Sequence, residues 1–196
     1  MPKIKVILGT TRQGRFGEQP ARWIADKTKA KGLDVEVLDL RDYPLPFFDE
    51  AMSPTAAIMK GTGYPYPVSA KWTEKIGEAD GFIIIAAEYN HGYTAVLKNA
   101  MDYVATEWNK KPVAFVGYGS VGGSRAVEQL REVAVELQMA PIRAAVHMTN
   151  FWNLLDEKGQ IKTESFEASA DAMIDQLIWW TDALKTARDK DAASSK

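Results

Sequence analysis

The chain has 196 residues, a formal net charge of −2 and no cysteine. The balanced charge argues against a nucleic-acid-binding protein, and the lack of cysteine excludes disulfides, thiolate catalysis and cysteine metal sites. No apolar run reaches the ~18 residues that span a bilayer, and no leader with a cleavage site is recognisable, so we expect a cytoplasmic protein. The length suits one domain, 1–188, followed by a polar C-terminal tail, 189–196, that frays.

Five short apolar runs predict five strands, at 4–8, 35–40, 82–87, 113–117 and 142–148. The first, third and fourth are almost continuously apolar, which is typical of strands buried on both faces in a parallel sheet. The second alternates apolar with acidic residues, which favours an edge strand.

Between the runs, apolar residues recur at close to 3.6-residue spacing and predict helices over 18–31, 69–79, 93–108, 124–139 and 166–187. Strands that alternate with helices predict an α/β fold with a doubly wound, five-stranded parallel sheet of order 2-1-3-4-5. The irregular stretches 41–68 and 149–165 are either plain connections or functional loops that cover an interface.

In such a sheet, ligands bind beyond the carboxyl ends of the strands, at the switch point between the first and third strands. The loop at 9–17 leaves the first strand there and opens a helix. Its two hydroxyls and the guanidinium groups of Arg12 and Arg15 suit a phosphate dianion, although a tight turn with solvated arginines is the alternative. Arg15 and Phe16 stand where a Walker A motif needs Lys and Ser/Thr, which argues against a nucleoside triphosphatase.

The loop at 117–123, GYGSVGG, fits G-x-G-x-x-G. It follows the fourth strand rather than the first, and no acid ends the next strand, so it lacks the context of a dinucleotide fingerprint. We interpret it as a flat backbone surface for the edge of an aromatic ligand. Tyr118 occupies the first glycine position of G-x-S-x-G, so Ser120 is not predicted to be a hydrolase nucleophile.

The loop after the third strand reads EYNHG at 88–92, and LKNAMD follows at 97–102. Together they resemble the E-Y-N-x-[SG] … L-K-N-A-[LM]-D signature of the NADPH-dependent FMN reductase family, which has a flavodoxin-like fold. The loops at 9–17 and 117–123 resemble that family's phosphate loop and third flavin-contacting loop. The resemblance therefore covers about 3–148.

The resemblance implies cofactor-binding residues in all three loops: Thr10, Arg12, Arg15, Phe16, Gly17, Glu88, Tyr89, Asn90, His91, Gly119, Ser120 and Gly122. The first five belong to the phosphate loop, the next four would follow the flavin ring and ribityl chain, and the last three would border the ring's other edge. Two positions depart from the family, with Ala87 in place of a usual Pro and Arg15 in place of a frequent Ser.

The resemblance also implies FMN as the cofactor that carries the chemistry, with NADPH or NADH as donor, so that no catalytic side chain is expected. The two histidines have no cluster of Asp or Glu near them in the sequence and do not indicate a metal site. We expect a ping-pong hydride mechanism that serves a small acceptor, such as free flavin, a quinone, an azo compound or a metal oxyanion. A flavodoxin-like electron carrier, a non-catalytic ligand-binding domain and, less so, a Rossmann dehydrogenase stay open.

Several single residues have two interpretations. Tyr89 either stacks on the ring or packs at the helix start, and His91 either donates to a flavin oxygen or is a surface residue. Lys98 and Asp102 either pair within one helix or link subunits. The six tryptophans belong to the core or to an interface, and we expect a homodimer or a dimer of dimers, built near the 93–108 helix and the 64–67 loop.

Overall fold

The computed structural model describes residues 1–64 and 66–194, and within these ranges the chain forms five strands and six α-helices. The strands are β1 (Lys3–Leu8), β2 (Asp34–Asp39), β3 (Gly81–Ala87), β4 (Pro112–Gly119) and β5 (Ala140–Thr149). The helices are α1 (Glu18–Ala30), α2 (Pro54–Met59), α3 (Pro67–Gly77), α4 (Ala95–Asp102), α5 (Ser124–Glu136) and α6 (Glu167–Ser194).

The strands form one parallel sheet in the order β2-β1-β3-β4-β5, which confirms the predicted fold class. Ile4 of β1 lies opposite Val35 of β2 on one side and Gly81 of β3 on the other. The chain runs outward from β1 to β2 and then crosses back to β3, so the switch point lies between β1 and β3. β2 is an edge strand, as its alternating pattern predicted.

Side chains of the central strands alternate between two cores. On β3, Phe82 and Ile84 contact the core beneath α3, α4 and α5, whereas Ile83 and Ile85 contact the core beneath α1 and α6. Every residue of β3 and β4 is buried. Since successive side chains of a strand point to opposite faces, covering both faces requires an apolar residue at nearly every position.

The helix predicted over 93–108 is wrong in its second half, because α4 ends at Asp102 and a 3-10 turn follows at Thr106–Trp108. Two buried indoles explain the early end. Trp72 Nε1 donates to the Ala100 carbonyl at 2.8 Å, and Trp108 Nε1 donates to the Met101 carbonyl at 3.2 Å. The Ala100 carbonyl would otherwise accept the Val104 N–H, which instead donates to the Met101 carbonyl at 3.3 Å and closes a tighter last turn. Trp72 and Trp108 are therefore core residues, whereas Trp152 and Trp179 are exposed.

α6 continues through most of the predicted polar tail, 189–196, and ends at Ser194; Ser195 and Lys196 lie outside the described residues. Arg188 anchors the last turns by donating to the Lys110 carbonyl at 2.7 Å and to Asp80 Oδ1 at 2.9 Å. These side-chain contacts hold the polar last turns of α6 against the body of the protein.

The irregular stretch at 41–68 contains a helix that the sequence did not predict. α2 begins at Pro54, and the Ser53 hydroxyl accepts from the Ala56 N–H at 3.3 Å, a common N-terminal capping arrangement. α3 also starts two residues earlier than predicted, at Pro67. In the described part of the chain, no helix is long and apolar enough to cross a bilayer.

Candidate active site

The loops after β1, β3 and β4 meet at the carboxyl edge of the sheet. The Gly9 N–H donates to the Ile85 carbonyl at 3.2 Å, and the Glu88 N–H donates to the Tyr118 carbonyl at 3.0 Å. The Thr94 hydroxyl, which also caps α4, donates to the Gly9 carbonyl at 2.5 Å. The structure therefore brings together the three loops from which the site residues were predicted.

The first loop, 9–17, packs closely against the end of β3 and against the second loop. A Cβ at Gly9 would lie 2.7 Å from the Ile85 carbonyl oxygen, so only glycine fits without a shift. Thr10 is buried and its hydroxyl lies 3.0 Å from the Tyr89 hydroxyl, which joins the first loop to the second. Arg12 is exposed, and no hydrogen bond or ion pair of its side chain is found among the described residues.

Phe16 and Gly17 close the first loop against β4 rather than facing solvent. Phe16 is buried and packs on the Tyr118 and Phe151 rings, with centroids 5.3 and 5.2 Å away. A Cβ at Gly17 would come within 2.9 Å of the Tyr118 hydroxyl. Burial raises the pKa of Tyr118 well above its usual value, so this phenol stays protonated and remains a hydrogen-bond donor.

The Arg15 guanidinium is paired with carboxylates of the protein itself. Its buried guanidinium pairs with Asp39 at the end of β2, and its Nε donates to Glu18 Oε1 at 3.1 Å. Burial alone would raise the pKa of the Asp39 carboxyl, but hydrogen bonds from Arg15 and the Arg41 N–H outweigh it and hold that pKa below its usual value. The charge of Arg15 is thus balanced within the chain.

The second loop folds as a tight turn. The Tyr89 N–H donates to the Gly92 carbonyl at 2.8 Å, and the Gly92 N–H returns a bond to the Tyr89 carbonyl at 3.0 Å. Asn90 and His91 have positive φ angles of 48° and 70°, a conformation that Asn and His adopt more readily than most residues. The turn leaves the Tyr89 side chain 40% exposed at the mouth of the site.

Arg125, which sequence reasoning missed, holds this turn from the first turn of α5. Its Nε donates to Glu88 Oε1 at 2.7 Å, and its Nη1 lies 2.7 Å from His91 Nε2. Gln129, one turn later, donates to the His91 carbonyl at 2.9 Å. The Glu88 carboxylate, which was predicted to lie along the flavin ring and ribityl chain, is therefore paired with Arg125. The only sequence signal was a cation just after the glycine loop.

The third loop depends on close backbone packing. A Cβ at Gly117 would lie 2.6 Å from the Gly122 carbonyl oxygen, and Gly122 and Gly123 have positive φ angles of 72° and 69°. Behind the loop, His147 Nδ1 lies 3.0 Å from the Gly122 carbonyl. Ser120 is exposed at the tip of the loop.

Two hollows open at this edge. The larger, which we name the carboxyl-edge cleft, has a volume of about 380 Å³ and is lined by Thr10, Thr11, Arg12, Leu45, Phe47, Tyr89, Thr94, Ala95, Val96 and Asn99. A smaller recess of about 160 Å³ is lined by Arg12, Arg15, Phe16, Glu88, Tyr89, Tyr118 and Phe151. Arg12 and Tyr89 line both hollows.

The predicted site residues therefore divide into two groups. Six of them line one hollow or both: Thr10, Arg12, Arg15, Phe16, Glu88 and Tyr89. The others line neither of these two hollows: Gly17, Asn90, His91, Gly119, Ser120 and Gly122. Within 1–64 and 66–194, no group of three or more His, Asp or Glu side chains is arranged to hold a metal ion.

Comparisons with known proteins agree with this architecture. The family model described as NADPH-dependent FMN reductase matches residues 2–153. An NAD(P)H-dependent FMN reductase from Schizosaccharomyces pombe is 39% identical over 148 residues, which are 74% of this chain and 72% of the relative. An NAD(P)H:quinone oxidoreductase from Solanum tuberosum is 34% identical over 146 residues, 70% of this chain and 71% of that protein.

Among solved structures, FerB from Paracoccus denitrificans, a flavoenzyme NAD(P)H:(acceptor) oxidoreductase, superposes with a TM-score of 0.73. The match covers 93% of this chain and 98% of that chain at 18% identity, and it shows a shared fold. The family match spans most of the sequence and includes all three loops of the carboxyl edge. The chain belongs to the NADPH-dependent FMN reductase family.

Proposed function

We propose that the carboxyl-edge cleft binds FMN and that the protein passes electrons from NAD(P)H to a small acceptor. The observation that carries this proposal is the first loop. None of the backbone N–H groups of residues 10–14 donates a hydrogen bond to another described residue. These donors lead into the N-terminus of α1, a 13-residue helix whose dipole favours an anion at that end.

The residues present fit both the phosphate and the aromatic ring of FMN. The loop N–H groups, the Thr11 hydroxyl and the exposed Arg12 guanidinium suit the phosphate. The apolar wall of the cleft, which includes Leu45, Phe47 and Val96, suits an aromatic ring. Thr10 contributes by holding the Tyr89 hydroxyl, which fixes the side chain that divides the two hollows.

FMN, when bound, supplies the two-electron chemistry, while the chain supplies binding, orientation and electrostatics. The Tyr89–Gly92 turn would hold the Tyr89 ring against the bound cofactor, and a second molecule would reach that cofactor from the open side of the cleft. Donor and acceptor must use that side in turn, which predicts ping-pong kinetics. No side chain is proposed as a general acid or base. The candidate acceptors are free flavin, a quinone, an azo compound or a metal oxyanion.

The visible spectrum of the protein tests this function. The protein is loaded with FMN, desalted, and mixed with NADPH under anaerobic conditions. We expect a retained flavin band that bleaches and that returns when a quinone is added. A retained band that NADPH does not bleach would instead indicate an electron carrier. If a titration detects no FMN binding at all, the assignment of the three loops is wrong.

We also propose that the protein assembles as a homodimer or a dimer of dimers through the face that carries α4. The Phe47 side chain lines a hollow together with Lys98 and Asp102 of α4 and is 78% exposed, an unusual position for an apolar residue of this size. The Lys98–Asp102 pair closes within one helix at 2.7 Å and so does not need a second subunit. Pro65, part of the expected interface loop, lies outside the described residues. A monomer by light scattering at micromolar concentration would refute this proposal.

A further inference from the structure

The geometry points to Arg15 and Arg41 as positioning residues that shape the first loop for an anion without binding the anion themselves. This inference rests on the proposed function, because it concerns how the same loop receives the FMN phosphate. It also assigns a role to Arg41, which no sequence motif singled out, and it gives Arg15 a role other than that of a phosphate ligand.

Two arginines bind three consecutive carbonyl oxygens of the loop. Arg15 Nη1 donates to the Thr10 carbonyl. Arg41, from the turn after β2, donates from Nε to the Thr11 carbonyl at 3.2 Å and from Nη2 to the Arg12 carbonyl at 2.6 Å. The fork of Arg41 thus spans two adjacent peptide groups, which the single ammonium of a lysine does not do with the same geometry.

Because the peptide group is planar, these contacts to carbonyl groups also orient the neighbouring N–H groups. The carbonyl of one residue and the N–H of the next lie in one plane and point in opposite directions. Fixing the carbonyls of residues 10–12 therefore turns the N–H groups of Thr11, Arg12 and Gln13 the other way. None of these three N–H groups donates to a described residue. Successive backbone N–H groups without a protein acceptor can bind an anion.

Both positioning arginines are neutralised by carboxylates. Arg15 Nη1 donates to Asp39 Oδ1 at 2.8 Å, and the backbone N–H of Arg41, rather than its guanidinium, donates to the same oxygen at 2.9 Å. Glu18 Oε1 lies 3.1 Å from Arg15 Nε and 3.3 Å from Arg41 Nη1. Two guanidinium groups and two carboxylates thus form a neutral frame behind the loop. Arg12 is left as the cation that faces the ligand side.

Riboflavin separates a role in phosphate binding from a role in ring binding, because it has the ring and ribityl chain of FMN but no phosphate. In the full-length protein, Arg41→Gln should weaken FMN binding by at least about tenfold. It should leave the Kd of riboflavin unchanged within about twofold. Arg41 is preferred to Arg15 for this test because its side chain is only partly buried, and its loss is less disruptive to the fold.

Two further variants distinguish a positioning role of the Arg41 side chain from an effect of its charge alone. Arg41→Lys keeps the charge but loses the fork, so positioning predicts the same loss of FMN affinity, whereas a purely electrostatic role predicts normal affinity. Arg22→Gln is the matched control, since Arg22 is on the neighbouring helix α1, its side chain is 75% exposed, and its nearest contact with Glu18 is 4.0 Å. Its Kd values for FMN and riboflavin should both stay at the wild-type level.

Equal weakening of FMN and riboflavin binding by Arg41→Gln, or normal FMN affinity in Arg41→Lys, would overturn the inference. If the wild-type protein binds neither flavin, the proposed function fails, and inorganic phosphate becomes the probe. Phosphate should then raise the Tm of the wild-type protein but not that of Arg41→Gln. If phosphate leaves the wild-type Tm unchanged, the loop is not an anion site and the inference is wrong.

Discussion

At the amino edge of the sheet, the buried Lys111 donates to the Ile76 and Gly77 carbonyls at 2.8 and 3.1 Å and thereby satisfies the end of α3. At the carboxyl edge, arginines also bind backbone carbonyls, but the N–H groups on the other side of the same peptides donate to none of the residues that the structure describes. At the amino edge, Lys111 satisfies carbonyl groups that the fold leaves without a backbone partner. At the carboxyl edge, the arginines hold carbonyl groups so that the neighbouring N–H groups remain available to a ligand. A buried cation therefore indicates a ligand site only where unpaired backbone groups lie beside it.

The largest expected effect is that of Arg125→Met, which removes the partner of the buried Glu88 carboxylate. We expect a loss of about 2–3 kcal/mol in the free energy of unfolding, less than for a fully buried pair because the guanidinium is partly exposed. Urea denaturation measures it. Adding Glu88→Gln should recover part of the loss, and Glu128→Gln, on the exposed side of α5, should have no effect. An unchanged midpoint for Arg125→Met would show that the pair does not hold the second loop.

Gly9→Ala tests the close packing of the carboxyl edge. The new methyl group would lie 2.7 Å from the Ile85 carbonyl oxygen, so the first loop must move. We expect a loss of roughly 1–3 kcal/mol in stability together with weaker FMN binding. Gly77→Ala is the control at the amino edge, where the nearest atom is Glu107 Cγ at 3.8 Å. If both variants retain FMN equally, the first loop tolerates displacement and its assigned role is wrong.

Lys111 should make stability depend on pH at the amino edge. Burial lowers the pKa of Lys111 from 10.5 to about 8, so the folded protein releases this proton before the unfolded chain does. Unfolding between pH 8 and 10 therefore takes up a proton, and stability should rise with pH by about 1 kcal/mol per unit. Denaturation midpoints across that range measure the slope. Lys111→Met should abolish it, while Lys110→Met, at an exposed neighbour, should retain it.

The smallest expected effect concerns the exposed face of α4. Lys98→Met breaks an i,i+4 ion pair with Asp102 whose groups are partly open to solvent. We expect a loss of about 0.3–0.5 kcal/mol at low salt and less at high salt. Thermal unfolding at two ionic strengths checks this. A much larger loss at both salt concentrations would indicate that Lys98 has a contact beyond its own helix.

The strands and their order could be predicted because the signals are local. β3 and β4 read as continuous apolar runs, and alternation with helices leaves few topologies. The end of α4 could not be predicted, since it depends on the Trp72 indole, which lies 28 residues away from the carbonyl that it binds. Sequence periodicity carries no information about such a distant donor.

For the candidate site, the sequence predicted where the loops lie but not which side chains within them are paired. Its three loops follow from the rule for carboxyl ends of strands and from the family resemblance. The role of Arg15 did not follow, because its partner Asp39 lies 24 residues away at the end of β2. The contact of Arg125 with Glu88 spans 37 residues. Sequence identifies which groups are present in a loop, but folding decides which of them are already paired.

Amide chemical shifts during an FMN titration test the central claim most directly. We expect the N–H resonances of Thr11, Arg12 and Gln13 to shift strongly on addition of FMN and much less on addition of riboflavin. Those of Gly77 and Lys111, at the opposite edge, should stay in place with both. Shifts confined to the amino edge, or equal shifts of the first loop with FMN and riboflavin, would contradict it.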